Sequence, residues 1–349
     1  MKYDVVISTL NRAEALKASL LLLEAQSAPP SNIIIVDASD DHEAIKAVVE
    51  PAINRDRFNY RWVPSTVKNL PYQRNTGIQY VENEIVFMPD DDSMFYQHSA
   101  EEILTAYRLD TEGRVGGVSG HHARSAPGEA ILAYKRSGLR AFKELIQPYR
   151  NKAEAYIAPK PFTTFAREQW KAQGPFPSFI DGKRFVATET MGGYLMTLRT
   201  EVAKTLRFND VLGYGIGYGL HEDMDIGLRI QRDGKLLVAA VEAPIYHNFF
   251  PSKRAAGFNY GFCHIANYAY VCCSVMPKSS KAYQQFARYA QYKLMLYRLA
   301  ATDDFGKDVL RGARVGWESA KELAAATPET LDDVYRSLCD RFIERKKPA

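Results

Sequence analysis

The chain has 349 residues, 46% of them hydrophobic and 25% charged, which suffices for one large domain or two ordinary ones with a sizeable buried core. Its 45 basic and 41 acidic residues leave a net charge of +4, and the first 250 residues show no basic stripe with interleaved aromatics, which argues against nucleic acid as a partner. Cys263, Cys272, Cys273 and Cys339 have neither zinc-site spacing nor the density of a disulfide scaffold and are read as reduced structural residues.

Asp4-Val5-Val6-Ile7-Ser8 opens the chain as a buried strand with no basic and apolar leader before it, so a cytoplasmic location is expected. Leucines at helical spacing from Glu14 to Glu24 and a second apolar run, Asn32 to Asp37, complete a β-α-β unit, with Pro29 and Pro30 ending the helix. The pattern continues with a helix from His42 to Val49, a strand over Tyr60 to Val63, a helix from Tyr72 to Tyr80 and a strand from Glu84 to Met88. This alternation predicts an α/β fold with a mostly parallel sheet, helices on both faces and ligands beyond the carboxyl ends of the strands. From Gly116 to Phe185 the pattern reads as irregular. His121 and His122 are adjacent and would point to opposite faces of a strand, and Trp170, Phe176 and Phe179 are read as core packing with sugar stacking as the alternative. A short helix follows the glycine-rich run Gly213 to Leu220, with Glu222 and Asp223 near its N-terminus, Asp225 one turn before Arg229 and Gly234 as its stop.

The polar residues of the first half collect at three strand ends: Thr9-Leu10-Asn11-Arg12, Asp37, and Asp90-Asp91-Asp92. Three acids on a short turn raise one another's pKa unless a cation lies between them, and hard oxygen ligands suit Mg²⁺ or Mn²⁺. Taken alone, the cluster reads equally as a solvated acidic turn. A nucleotide along this rim would find an acceptor in Asp37, metal ligands in the acids, and polar contacts in Arg74 and Asn75.

Val6-Ile7-Ser8-Thr9-Leu10-Asn11-Arg12, Ile35-Val36-Asp37-Ala38-Ser39, Gln73-Arg74-Asn75-Thr76-Gly77, Met88-Pro89-Asp90-Asp91-Asp92 and His221-Glu222-Asp223-Met224-Asp225 together resemble the ordered motifs of family 2 glycosyltransferases over roughly residues 3 to 250. The resemblance implies the GT-A fold, a Rossmann-like nucleotide-diphospho-sugar transferase architecture, and inverting transfer from a nucleotide-sugar, usually a UDP-sugar, with Mn²⁺ or Mg²⁺ on the diphosphate. It implies Thr9, Asn11, Arg12, Asp37, Arg74, Asp90 and Asp91 as nucleotide-sugar contacts, with Asp91 toward the ribose; Gly193 joins them because a small residue lets the backbone come close to the donor sugar. Asp92 is implied first among the metal ligands, joined by Asp90 and by His247 near the end of the domain. Asp223 is implied as general base and Glu222 as the residue orienting the acceptor. The alternative for Glu222 and Asp223 is the ordinary preference of acids for a helix N-terminus, and for His247 a hydrogen-bonded strand end. One departure is visible, Asp37-Ala38 where the family often has two adjacent acids.

The expected division is a GT-A domain over 1–250, with a donor half to about 115 and an acceptor half from about 116, followed by a helical region over 251–349. Tyr260, Phe262, Ile265, Tyr268 and Val271 share one helical face, and Tyr283 to Leu299 sets Arg288, Lys293 and Arg298 opposite aromatic and aliphatic residues. Such a helix can rest on the inner face of a membrane, consistent with a lipid-linked or glycan acceptor, or serve as a lid or dimer face. Thr330 to Ala349 reads as a charged terminal helix. Two other classes fit less of the sequence. A nucleotidyltransferase would need a glycine-rich basic loop after the first strand, where Ser8-Thr9-Leu10-Asn11-Arg12 has no glycine. A binding module without catalysis would not require Glu222 and Asp223.

Overall fold

The computed structural model describes residues 1–128, 157–216, 219–248 and 256–343. Strands β1 (Tyr3–Thr9), β2 (Asn32–Asp37), β3 (Asn59–Pro64) and β4 (Ile85–Phe87) lie parallel in the order β3-β2-β1-β4. The sheet continues through β8 (Met196–Arg199), antiparallel to β4, and β6 (Val115–His122), antiparallel to β8. Next comes β9 (Leu236–His247), parallel to β6; β5 (Ser93–Phe95) and β7 (Phe185–Ala187) both pair with β9 in antiparallel fashion.

The period of two in the central strands divides their side chains between two cores. Val5, Ile7, Ile33, Ile35, Ile85 and Phe87 face α1 (Ala13–Glu24), α2 (His42–Val49) and α4 (Ser99–Leu109), which contribute Leu16, Leu20, Ile45, Ile103 and Leu104. Val6, Ile34, Val36, Val86 and Met88 face the other way, onto Ile78 of α3 (Leu70–Ile78), Val202 and Ala203 of α6 (Thr200–Leu206) and Ile226 and Ile230 of α7 (Glu222–Arg232). Strands buried on both faces read as continuous apolar runs, which is why β1 and β2 are visible in the sequence.

The stretch expected to be irregular contains β6 and α5 (Pro161–Gln173). The strand escapes sequence reading because Val-Gly-Gly-Val-Ser-Gly lacks hydrophobic alternation, and the glycines are small for a tertiary reason. A Cβ on Gly116 would lie 2.6 Å from Ile230, on Gly117 2.8 Å from Leu198 and on Gly120 2.6 Å from Ile245. Neighbouring side chains fill the space that β6 leaves open. The terminal helix α11 covers Leu331–Phe342, and the remainder of that expected helix, 344–349, lies outside the described residues, as do Gly217 and Tyr218 of the glycine-rich run.

The described residues divide into two compact units. One holds 1–128, 169–210 and 222–248, and the other 157–168, 211–216, 219–221 and 256–343. The second is built on α8 (Gly257–Val275), α9 (Lys281–Ala300), α10 (Asp304–Ala325) and α11. Gly261 of α8 faces the Val309 carbonyl and Gly312 of α10 the Phe258 carbonyl, so closely that no Cβ fits at either position. The buried amide of Asn267 donates to the carbonyls of Leu212 (3.1 Å) and Leu220 (2.9 Å) and accepts from Tyr335, tying Leu212 and Leu220 to α8. All four cysteines are free thiols; Cys263 and Cys272 are buried, which pushes their pKa values up. Among the described residues no helix is long and apolar enough to cross a membrane.

Candidate active site

The carboxyl ends of β1 and β2 form the first wall. Thr9 pairs in register with Asp37, and just beyond it Asn11 takes a left-handed conformation (φ 56°), which asparagine tolerates better than most residues. That turn lets the Asn11 N–H donate to Ser39 Oγ (2.7 Å) and its amide to Asp40 (2.7 Å), so the β1 and β2 loops are stitched together. Asp37 is fully buried; one carboxylate oxygen accepts from the Ser39 N–H (2.9 Å) and the other lies 3.1 Å from His42 Nδ1. Gln73, on the buried face of α3, donates to the carbonyls of Thr9 (3.1 Å) and Val36 (2.9 Å) and so anchors both strand ends.

The acid cluster forms the second wall, and backbone register determines what each acid meets. Asp90 bridges to Ser8, and the Ser93 N–H donates to the Asp90 carbonyl (3.1 Å), turning the chain into β5. There Ser93 pairs with His247 of β9, which sets His247 Nε2 3.1 Å from Asp92 Oδ1. Asp91 points away from this pair. It accepts from Thr9 Oγ1 (2.7 Å) and lies 3.1 Å from Arg12, whose guanidinium also bonds Asp92. Burial pushes the Asp91 carboxyl up to about 7 despite Arg12. Burial acts on Asp92 in the same sense, but the hydrogen bond and charge of His247, with Arg12, outweigh it and hold Asp92 below the usual carboxylate range. Ligand atoms of Asp90, Asp92 and His247 all lie within 4.8 Å of one another. Two carboxylates and an imidazole, converging from a turn and a strand end, match the donor set that Mn²⁺ or Mg²⁺ takes.

Arg74 joins this wall to a second carboxylate pair. Its side chain is buried, with Nη2 2.9 Å from Asp90 and Nη1 3.1 Å from Glu222 at the start of α7. Gly193 lies against it, where a Cβ would come within 2.9 Å of Nη2. The Gly193 N–H donates to Asp223 Oδ2 (2.9 Å) while Oδ1 accepts from the Met224 N–H (2.8 Å), fixing Asp223 by both oxygens. Glu222 is buried and the adjacent Asp223 is half-buried. Burial first, and for Glu222 the Asp223 charge next, push both above the ordinary carboxylate range against the pull of Arg74. Asp225 has no part in this; it pairs with Arg229 one turn on (2.6 Å), as the spacing predicts.

Thr9, Arg12, Arg74, Asp90, Asp91, Asp92, Gly193, Glu222, Asp223 and His247 are thus linked in one network, while Asn11 and Asp37 belong to the adjoining wall. Asn75 does not face the rim: its amide exchanges two hydrogen bonds with the Phe208 backbone (2.7 and 2.8 Å). Trp170 is held by Gln231 (2.9 Å) and the edge of Phe176, and Phe179 packs on the core, so these aromatics are structural. His121 and His122 are exposed on β6, and His122 Nδ1 lies 2.8 Å from the Tyr194 hydroxyl. Tyr194 in turn stacks on His247 at 4.4 Å. Sequence reading gave Tyr194 no role of its own, since the contact arises from the pairing of distant strands.

Residues 4–155 match the model of Glycosyl transferase family 2. No curated protein matches the sequence. Among solved structures, S. aureus TarS 1-349 superposes with a TM-score of 0.52 at 14% identity, covering 98% of this chain and 91% of that one. The same TarS segment in complex with UDP-GlcNAc gives 0.53 at 13% identity, covering 98% and 91%. The mannosyltransferase PcManGT from Pyrobaculum calidifontis, in complex with GDP-Man and Mn²⁺, gives 0.52 at 14% identity, covering 99% and 88%. At such low identity these likenesses show the fold, and the family model adds a similarity confined to residues 4–155. The chain has the GT-A fold of these structures, and over residues 4–155 it is similar to family 2 glycosyltransferases.

Proposed function

We propose that the chain transfers a sugar, with inversion, from a nucleotide-diphosphate sugar to a hydroxyl of a glycan or glycolipid acceptor, with Asp223 as general base. The observation that carries this reading is the single buried guanidinium of Arg74, which bridges Asp90 of the acid cluster and Glu222 beside Asp223. It ties the group that would meet the donor to the group that would meet the acceptor. The donor half, 1–115, supplies Thr9, Asn11, Arg12, Asp37 and Asp91 for the nucleoside diphosphate, and the acceptor half, 116–250, supplies Gly193, Glu222 and Asp223. A UDP-sugar is the donor we favour; UDP-GlcNAc and GDP-Man bound to two proteins of this fold support the class.

In the reaction the acceptor oxygen forms a bond to the anomeric carbon as the bond to the diphosphate breaks on the opposite face, and Asp223 takes the hydroxyl proton. Its two backbone hydrogen bonds fix the direction in which its carboxylate can accept. Glu222, held by Arg74, orients the acceptor. Asp90, Asp92 and His247 would hold Mn²⁺ or Mg²⁺, which would supply Lewis-acid neutralisation of the departing charge. The test is to offer UDP-sugars and GDP-mannose with a range of glycan acceptors and measure nucleoside diphosphate release. Asp223→Asn should lower turnover by about 10²–10⁴-fold. Donor affinity, measured by calorimetry, should stay within about twofold of the wild type. Unchanged turnover would remove Asp223 from the mechanism, and pyrophosphate as product would point to nucleotidyl transfer instead.

A further inference from the structure

The side chain of Arg12 is tied to two acids at once, Asp91 at 3.1 Å and Asp92, and Asp92 is also one of the three residues whose ligand atoms converge on a cation site. We infer that Arg12 and the divalent cation compete for Asp92, and that a diphosphate relieves the competition by taking up the guanidinium, so that cation binding depends on nucleotide. The inference rests on the metal-dependent reading above and assigns Arg12 a role beyond that of a nucleotide contact.

Three features of the structure support it. The Arg12 guanidinium bonds one oxygen of Asp92 and His247 lies at the other, so a cation entering between Asp90, Asp92 and His247 shares a carboxylate with a positive charge already on it. In a largely buried site, where Asp92 is 3% exposed, like charges sharing one carboxylate repel with little screening. Second, Arg12 Nε is buried and has no hydrogen-bond partner among the described residues. An orphaned N–H on a guanidinium is costly, and the planar fork of arginine matches two phosphate oxygens, so an arriving diphosphate satisfies a donor that the two aspartates leave unpaired. Third, Asp91 does not lose its anchor if Arg12 turns away, because Thr9 Oγ1 holds its other oxygen at 2.7 Å. Arg12 sits between β1 and α1, one residue after the left-handed Asn11 and one before the first helical residue. It is therefore a positioning residue, acting through Asp92.

The experiment is titration of MnCl₂ into the full chain, read by calorimetry and by the loss of the free Mn²⁺ paramagnetic resonance signal, with and without saturating UDP or GDP. In the wild type, nucleotide should tighten Mn²⁺ at least tenfold. Arg12→Ala should bind Mn²⁺ alone at least tenfold more tightly than the wild type and gain less from nucleotide. Arg12→Lys, which keeps the charge without the fork, should bind Mn²⁺ alone as weakly as the wild type. Arg12→Gln, closer in shape, replaces Arg12→Ala if the latter misfolds. Equal or weaker Mn²⁺ binding in the neutral variants overturns the inference while leaving the metal site intact. Mn²⁺ that still binds to Asp92→Ala, or that fails to bind the wild type even with nucleotide, overturns the metal assignment itself and the inference with it.

Discussion

Arg74 carries one positive charge against two carboxylates and has no spare room, since Gly193 backs directly onto it. Gly193→Ala should press on the Nη2 atom, shift the fork and lower kcat at least tenfold, with the melting temperature nearly unchanged because little else is displaced; steady-state kinetics and a thermal scan check both. Arg74→Ala has a different expected outcome. It leaves Glu222 buried without its cation, and breaking a buried pair in this way costs about 3–5 kcal/mol, measurable by urea unfolding. The raised pKa values of Glu222 and Asp223 also fix a pH dependence. A base works only when deprotonated, so activity is lost as pH falls through the raised value. The acid limb of kcat/KM should lie above the ordinary carboxylate range of about 4.

At the scale of elements, the crossing of α8 and α10 depends on what is missing from Gly261 and Gly312. Each faces a backbone carbonyl of the other helix, which cannot rotate away as a side chain could. Gly312→Leu should therefore force the helices apart and destabilise the second unit by more than about 3 kcal/mol, the range of severe overpacking, seen as lost ellipticity at 222 nm on mild heating. Gly113→Ala, where no atom lies near the added Cβ, strains only the backbone (φ 64°) and should cost about 1 kcal/mol. Helix α7 shows the opposite kind of dependence. Arg229 reaches Asp225 within the helix and the carbonyls of Leu206 and Arg207 outside it, both at 2.7 Å, so this one side chain holds the helix carrying Glu222 and Asp223 against the end of α6.

For the whole molecule, acid should act on the two units in opposite senses. Asp91 in the first unit has its folded pKa raised by burial to about 7, so its contribution is present at low pH and lost as pH rises through that value. His221 in the second is pushed down by burial to about 4, and His264 is lowered as well, so their contribution is present above about 6.5 and lost as pH falls toward 4. Hydrogen exchange in the presence of a chelator, compared between pH 7.5 and 5.5 after correction for intrinsic rates, should show protection falling in α8 to α11 and not in β1, β2 and β4; parallel loss in both units would defeat this account. The same contrast marks what could be read from the chain alone. Strands such as β1 and β2, buried on both faces, are continuous apolar runs, so the β/α alternation and the polar residues at its strand ends were set by local sequence. Asp91, Asp92, Glu222 and Asp223 could be recognised, because acids at a strand end or a helix start carry a chemical meaning in themselves. The sequence did not specify that Arg74 joins Asp90 to Glu222, that register in β5 and β9 brings His247 to Asp92, that Tyr194 covers His247, or that the glycines of β6 mark a strand. Those relations were decided by the tertiary structure, since each joins residues far apart in the chain whose meeting depends on strand order and on the space their neighbours leave.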